Sequence, residues 1–357
     1  MKFALRPTLA LLLASASFVA SADPLSLVSE FGLGSGFQAT DINALGTVAG
    51  LNGYDNSVQV WQAGQFTTLG TSLDTLEVVG INNQNTVLFN SVDTNGGLHY
   101  TVWRQGATQA MGNGLANLTL NGLNDAGTAV GMTMANGAMA CGVAIGPAGS
   151  VSGTTCVNGA HAGYMAINGQ GNRVLSTVDP NNGQVQTFLE AAGLRQSLAP
   201  MTSVAGLNDQ GSTAGISNGR AVVINASGHA TDVLAGYAGA SNARIYDINN
   251  LGQIVGQFVD SNANTQAFLW DDSHGVTLLN ANLASLGLQR LDDTQIGLND
   301  QGQLVMTVYD TGNNDLGTVI LQSSPPAVPE PAMWLTMGLG LVGIALTRSR
   351  PTKARGV

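Results

Sequence analysis

Along most of the chain short apolar runs alternate with clusters of Asn, Asp and Gly, and one such cluster recurs with a fixed grammar. An aliphatic residue enters a turn of Asn, then Asn, Asp or a small residue, then any residue and Gly, and the chain leaves into a β-rich run. Ile42-Asn43-Ala44-Leu45-Gly46 followed by Thr47-Val48-Ala49-Gly50 is one copy, and Ile248-Asn249-Asn250-Leu251-Gly252 followed by Gln253-Ile254-Val255-Gly256 is another. Asn bonds its own backbone, and Gly, or Asn85 in one copy, tolerates the left-handed position that closes a hairpin. The lead asparagines are Asn43, Asn82, Asn124, Asn168, Asn208, Asn249 and Asn299, seven in all, at a period of about 43 residues. A strand ending in a large residue follows about 20 residues after several of them, as in Val58-Gln59-Val60-Trp61, Tyr100-Thr101-Val102-Trp103, Val185-Gln186-Thr187-Phe188 and Ala267-Phe268-Leu269-Trp270. A further short strand comes after it, as in Gln65-Phe66-Thr67-Thr68-Leu69.

Roughly four short strands per unit and seven units predict an all-β fold, a seven-bladed β-propeller. A single four-stranded sheet cannot bury both its faces, so neighbouring units must stack. The last copy ends after Gly317-Thr318-Val319-Ile320-Leu321-Gln322 without a final strand, and Leu25-Ser26-Leu27-Val28-Ser29-Glu30-Phe31 precedes the first copy as an orphan strand. The expectation is one blade shared between the two ends, which hides an edge.

Composition narrows the function. Of 357 residues only 10% are charged, and 47 are Gly, which suits many turns and few helices. All 22 acidic residues lie between Asp23 and Glu330, where the only cations are the six arginines Arg104, Arg173, Arg195, Arg220, Arg244 and Arg290. So acidic a body argues against a nucleic-acid partner and against an anionic membrane surface.

The two ends carry different chemistry. Residues 1–22 have a basic start (Lys2, Arg6), an apolar run and Ala20-Ser21-Ala22, the parts of a secretory signal peptide cleaved between Ala22 and Asp23. Residues 23–322 then form the propeller, and 323–331 a linker ending in Pro329-Glu330-Pro331. The apolar segment 332–347 is long enough for a short transmembrane helix, and the basic tail 348–357 sets its orientation, tail in the cytoplasm.

The triplet Pro329-Glu330-Pro331, the apolar segment and the C-terminal arginine cluster resemble the PEP-CTERM sorting signal of Gram-negative bacteria. The resemblance covers about 30 residues. It implies processing by an exosortase-type enzyme, transient anchoring in the inner membrane, and delivery to the cell surface or exterior, often where exopolysaccharide is made. Residues 36–322 resemble the extracellular HAF repeat: Gln266-Ala267-Phe268-Leu269-Trp270 fits it with Gln in place of His, and His99-Tyr100-Thr101-Val102-Trp103 keeps the His. That resemblance implies an extracellular repeat protein and supports the fold more than a function.

Candidate chemistry is sparse. Cys141 and Cys156 flank a turn centred on Gly146-Pro147-Ala148-Gly149, in a chain bound for an oxidising compartment, so a disulfide stapling the third blade is expected. His99, His161, His229 and His274 are dispersed, and no Walker loop is present. Four turns between second and third strands begin with Asp, at Asp93, Asp179, Asp260 and Asp310. Oxygen-rich turns attract calcium, and Asp310, Asn313 and Asp315 make the best supplied of them, but Asx-turns are the preferred reading, and no cofactor is expected. Trp61, Trp103 and Trp270 stand at one repeat position, as blade packing does. The chain therefore reads as an exported, non-enzymatic binding or structural propeller associated with exopolysaccharide. The alternative is a propeller-fold polysaccharide hydrolase or lyase with acids converging on the central channel; a lectin with like pockets in successive blades is a third reading.

Overall fold

In each Asn-led turn the lead Asn backbone N–H donates to the carbonyl four residues on, and the N–H three residues on donates back to the lead Asn carbonyl, as in Asn43 with Thr47 and Gly46. This tight loop joins the first two strands of a blade, and its closing position is left-handed: φ is 73° at Gly46, 77° at Gly127, and 55° at Asn85, the one copy without Gly. The computed structural model describes residues 25–323 apart from 33–35, 72–76, 94, 136–138, 291–293, 310–311 and 313. Its strands assemble into seven four-stranded antiparallel sheets, and the predicted propeller is the observed fold.

Blade 1 runs Phe37–Ile42, Val48–Asn52, Ser57–Gln62, Gln65–Thr71, and blade 2 Glu77–Ile81, Val87–Val92, Leu98–Arg104, Ala107–Met111. Blades 3, 4 and 5 begin with Thr119–Leu123, His161–Ile167 and Ser203–Leu207, and blade 6 with Ser241–Ile248. Blade 7 takes Ile296–Leu298, Gln303–Tyr309 and Asp315–Gln322 from one end of the propeller and Ser26–Phe31 from the other, paired antiparallel with Ser26 opposite Gln322 and Phe31 opposite Thr318. The ring is thus closed by backbone hydrogen bonds, and Phe31 stacks on Trp61 of blade 1 with ring centroids 3.9 Å apart.

The core is divided among the blade interfaces. Each of seven clusters of buried apolar side chains sits between two neighbouring blades, for example Val58, Val60, Val78 and Phe89 between blades 1 and 2, and Phe31, Phe37, Val48 and Ile320 between blades 7 and 1. Alternation along the strands supplies this, since each sheet must cover both faces with a neighbour. In the second strands of blades 1, 3, 5 and 6 a Gly faces the bulged first strand: a Cβ at Gly50 would lie 2.2 Å from the Gln38 carbonyl oxygen and one at Gly256 2.4 Å from that of Arg244, so in these blades Gly lets the two backbones approach.

One element departs from the expected strands. Helix α1 (Leu279–Ser285) follows the last strand of blade 6 and buries Leu279 and Leu283, four residues apart on one face, against blades 6 and 7. It takes up the extra length in the 50-residue step from Asn249 to Asn299.

Cys141, in the third strand of blade 3, is bonded to Cys156 just beyond the fourth, at a sequence separation of 15. Replacing both by Ser is expected to destabilise the protein by about 3 kcal/mol through the released loop entropy. Thermal melts should give the same lowered midpoint for this variant and for wild type under reductant.

Candidate functional site

The seven Asn-led turns converge on one end of the propeller axis, around a cavity of about 190 Å³. Each lead Asn is buried and bonds in two directions. Its Oδ1 accepts from its own turn, as Asn82 does from the N–H groups of Gln84 and Thr86. Its Nδ2 donates to the lead Asn carbonyl of the next blade: Asn43 to Asn82 at 2.9 Å, Asn82 to Asn124 at 2.8 Å, Asn124 to Asn168 at 3.2 Å and Asn168 to Asn208 at 3.0 Å. Asn208 continues to Asn249 at 3.2 Å, Asn249 to Asn299 at 2.8 Å, and Asn299 returns to Asn43 at 2.9 Å. The motif read from the sequence as a turn is therefore also a closed belt of side-chain hydrogen bonds.

The residue after each lead Asn builds a second, interrupted belt. Asn83 Oδ1 accepts from Ala44 N–H, Asp125 from Asn83, Asp209 from Gly169, Asn250 from Asp209 and Asp300 from Asn250, at 2.7 to 2.8 Å. The two gaps fall where Ala44 and Gly169 offer no acceptor to the preceding blade. Asp125, Asp209 and Asp300 are thereby engaged in holding turns.

Two residues ahead of the lead Asn the chain faces the channel. Five blades carry Gly or Ala there (Gly80, Gly122, Ala166, Gly206, Gly297), while blades 1 and 6 carry Asp41 and Asp247. Asp41 accepts from its neighbour Ile42 N–H at 2.7 Å and from Ile81 N–H of blade 2 at 2.9 Å. Burial nevertheless pushes its carboxyl up to about 6, with those backbone donors opposing. Asp247 accepts from Ile248 N–H at 2.7 Å. It is raised well above the usual carboxylate range, first by burial and then by the charge of Asp41, with Asp300 adding and the Ile248 and Leu298 N–H groups opposing. Both keep some solvent contact through the mouth. Among the described residues that line it there are five aspartates and neither Lys, Arg nor His.

The sequence-predicted residues are scattered by comparison. The turns at Asp93, Asp179 and Asp260 are Asx-turns: Asp93 Oδ1 accepts from Asn95 and Gly97, Asp179 from Asn181, and Asp260 from Asn262 and Asn264. Asp310 and Asn313 lie outside the described residues, and Asp315 opens the third strand of blade 7. Among the described residues no three His, Cys, Asp or Glu are grouped to hold a metal ion. His99 bonds Asp93 at 2.8 Å, and His274 bonds Asp271. Trp270 is buried between blades 5 and 6, and Trp61 packs between blades 7 and 1. Ala22, Asp23, Pro329, Glu330, Pro331 and the segment 332–347 lie outside the described residues, and among those described no helix is long and apolar enough to cross a membrane. Asp41 and Asp247 were not singled out from the sequence; the signal was an acid at a register position that five other copies fill with Gly or Ala.

Residues 327–350 match the PEP-CTERM protein-sorting motif. That motif is a sorting signal for exosortase processing, so the chain is an exported propeller protein with a transient membrane anchor. No curated protein matches the chain. Among solved structures it is similar to virginiamycin B lyase from Staphylococcus aureus, at 11% identity over 84% of this chain and 98% of that one, TM-score 0.49. It is also similar to the acylaminoacyl peptidase of Pyrococcus horikoshii, at 9% identity over 84% of this chain and 54% of that one, TM-score 0.49. The BP39L lectin from Burkholderia pseudomallei matches at 12% identity over 70% and 85%, TM-score 0.41. None of the three bears on this chain's activity.

Removing one link of the belt, Asn168→Ala, deletes the bond to Asn208 and orphans the Asn172 N–H. A loss of about 2–3 kcal/mol is expected in urea unfolding. The channel acids give a pH signature. Asp41 is protonated more readily in the folded protein than in the unfolded chain, so its stabilising proton is fully present below about pH 3.8 and lost as pH rises through about 6. Stability is expected to fall by about 2–3 kcal/mol across that window, and Asp41→Asn/Asp247→Asn to flatten the slope of melting midpoint against pH.

Proposed function

We propose that this exported propeller is a non-enzymatic binding or structural protein of the extracellular matrix, associated with exopolysaccharide. What supports the reading above all is that the recurrent polar residues of the axial mouth bond one another: the lead asparagines and Asp125, Asp209 and Asp300 are engaged in holding blades together. A rigid closed ring with its polar groups so used suits packing and display. In this reading residues 1–22 direct export and are cleaved between Ala22 and Asp23, and 332–347 anchors the chain in the inner membrane with 348–357 in the cytoplasm. An exosortase-type enzyme then acts at Pro329-Glu330-Pro331, and the propeller, residues 23–322, reaches the cell surface or exterior.

Asp41 and Asp247 favour one second reading. Two carboxyls on the channel wall, both pushed toward the protonated form, are the kind of groups from which a polysaccharide hydrolase or lyase draws an acid and a base.

The full-length chain in a sugar-free zwitterionic detergent is expected to be retained on the producing strain's exopolysaccharide, equally with calcium and with chelator, and to release no new reducing ends or unsaturated sugars. Newly formed ends that disappear in Asp41→Asn would replace the binding reading with the hydrolytic one.

A further inference from the structure

Away from the axial mouth, the groove between blades 1 and 2 encloses a cavity of about 330 Å³. Its rim carries four glutamines, Gln62 and Gln65 from the last hairpin of blade 1 and Gln84 and Gln105 from two turns of blade 2, all exposed. The half-buried Trp103 lines one side. Thr47 lies at the floor, 2% exposed, and its hydroxyl has no hydrogen-bond partner. Among the described residues no charged side chain lines the groove.

The repeat provides its own control for that orphan hydroxyl. Thr86 holds in blade 2 the place that Thr47 holds in blade 1, each just before the second strand. Arg104 Nε donates to Thr86 Oγ1 at 3.0 Å and satisfies it. By register, Val48 faces Trp61 as Val87 faces Trp103, so Gln62 stands where Arg104 does. Gln62 does not bond Thr47. One exchange, Gln62 where blade 2 has Arg104, thus leaves a buried hydroxyl without a partner and, among the described residues, the groove without a cation. A buried polar group without a partner costs free energy until something supplies one.

We propose that this groove binds a neutral sugar ring of a glycan, a proposal that rests on the exopolysaccharide reading above and gives it a site. Amides present donors and acceptors together, as a polyhydroxyl ligand requires, and carry no charge to select an ion. Trp103 supplies the apolar surface against which the C–H face of a pyranose packs. A small turn of the Thr47 side chain brings its buried, unpartnered hydroxyl to a hydroxyl of the bound ring.

The test uses the full-length chain in the same detergent, titrated by tryptophan fluorescence and calorimetry with neutral gluco- and manno-hexasaccharides and with an oligogalacturonate. At least one neutral hexasaccharide is expected to bind with a Kd below about 1 mM, and the oligogalacturonate to bind more weakly. Thr47→Val keeps shape and deletes the hydroxyl; it is expected to weaken binding about fivefold or more without lowering the melting midpoint. Gln62→Arg copies blade 2 and is expected to abolish binding while the midpoint holds or rises. The proposal is overturned if neutral sugars do not bind, if the oligogalacturonate binds best, or if neither substitution changes affinity. Retention on exopolysaccharide that persists unchanged in Gln62→Arg sinks the groove and leaves the matrix reading standing. Oligosaccharide binding lost in Gln62→Arg, without retention on the polymer, does the reverse.

Discussion

The fold depends on a belt of seven asparagines, and the belt explains why that residue type recurs. The position needs an acceptor for its own turn and a donor for the next blade's carbonyl at once. Asp lacks the donor, and Ser or Thr would have to serve both directions from a single hydroxyl oxygen. Because each amide bridges two blades, the turns are held at one radius whatever the length of chain between them. Steps from 39 to 50 residues are accommodated in peripheral hairpins and in α1, while the ring positions stay in register. Closure of blade 7 by Ser26–Phe31 then ties the two ends of the propeller into one sheet, as its outermost strand.

What the sequence made legible follows from that periodicity. The period, the blade count, the shared blade and the Cys141–Cys156 staple could all be read because each is set by local turn chemistry or spacing. The Asp93, Asp179 and Asp260 turns were legible as Asx-turns for the same reason. The inter-blade direction of the Asn amides was not, because a turn motif looks alike whether or not its side chain also reaches another blade. Asp41 and Asp247 were hidden among 22 acidic residues, and only the superposition of seven inner strands shows that two register positions out of seven carry a carboxyl. Helix α1 was missed because Leu279 and Leu283 give a single apolar pair in too short a segment to show a helical period.

The distribution of charge separates the two concave regions of the body. The axial mouth gathers five aspartates with no cation among the described residues that line it, and the engaged ones serve as acceptors for backbone N–H groups. Such a mouth repels an anionic polymer, although burial, joined at Asp247 by the charge of Asp41, makes two of its acids hold protons more tightly. The groove between blades 1 and 2 is neutral, amide-rich and bordered by an indole. A glycan approaching this face therefore meets repulsion at the axis if it is acidic and hydrogen-bonding partners off the axis if it is neutral.

Repetition also makes departures interpretable. In a singular fold an unpaired hydroxyl such as that of Thr47 is one irregularity among many. Here blade 2 shows how the same scaffold satisfies the same position, with Arg104 on Thr86. The blade 1 arrangement is therefore an exchange of an internal bond for an open, uncharged surface. The scaffold tolerates it because the belt and the apolar cluster between the two blades, with Val58, Val60, Val78 and Phe89, are complete without the Thr47 bond. Stability is carried at the axis and in the interfaces, which frees the outer hairpins to vary residue by residue, and variation there is where a repeat protein acquires a specific surface.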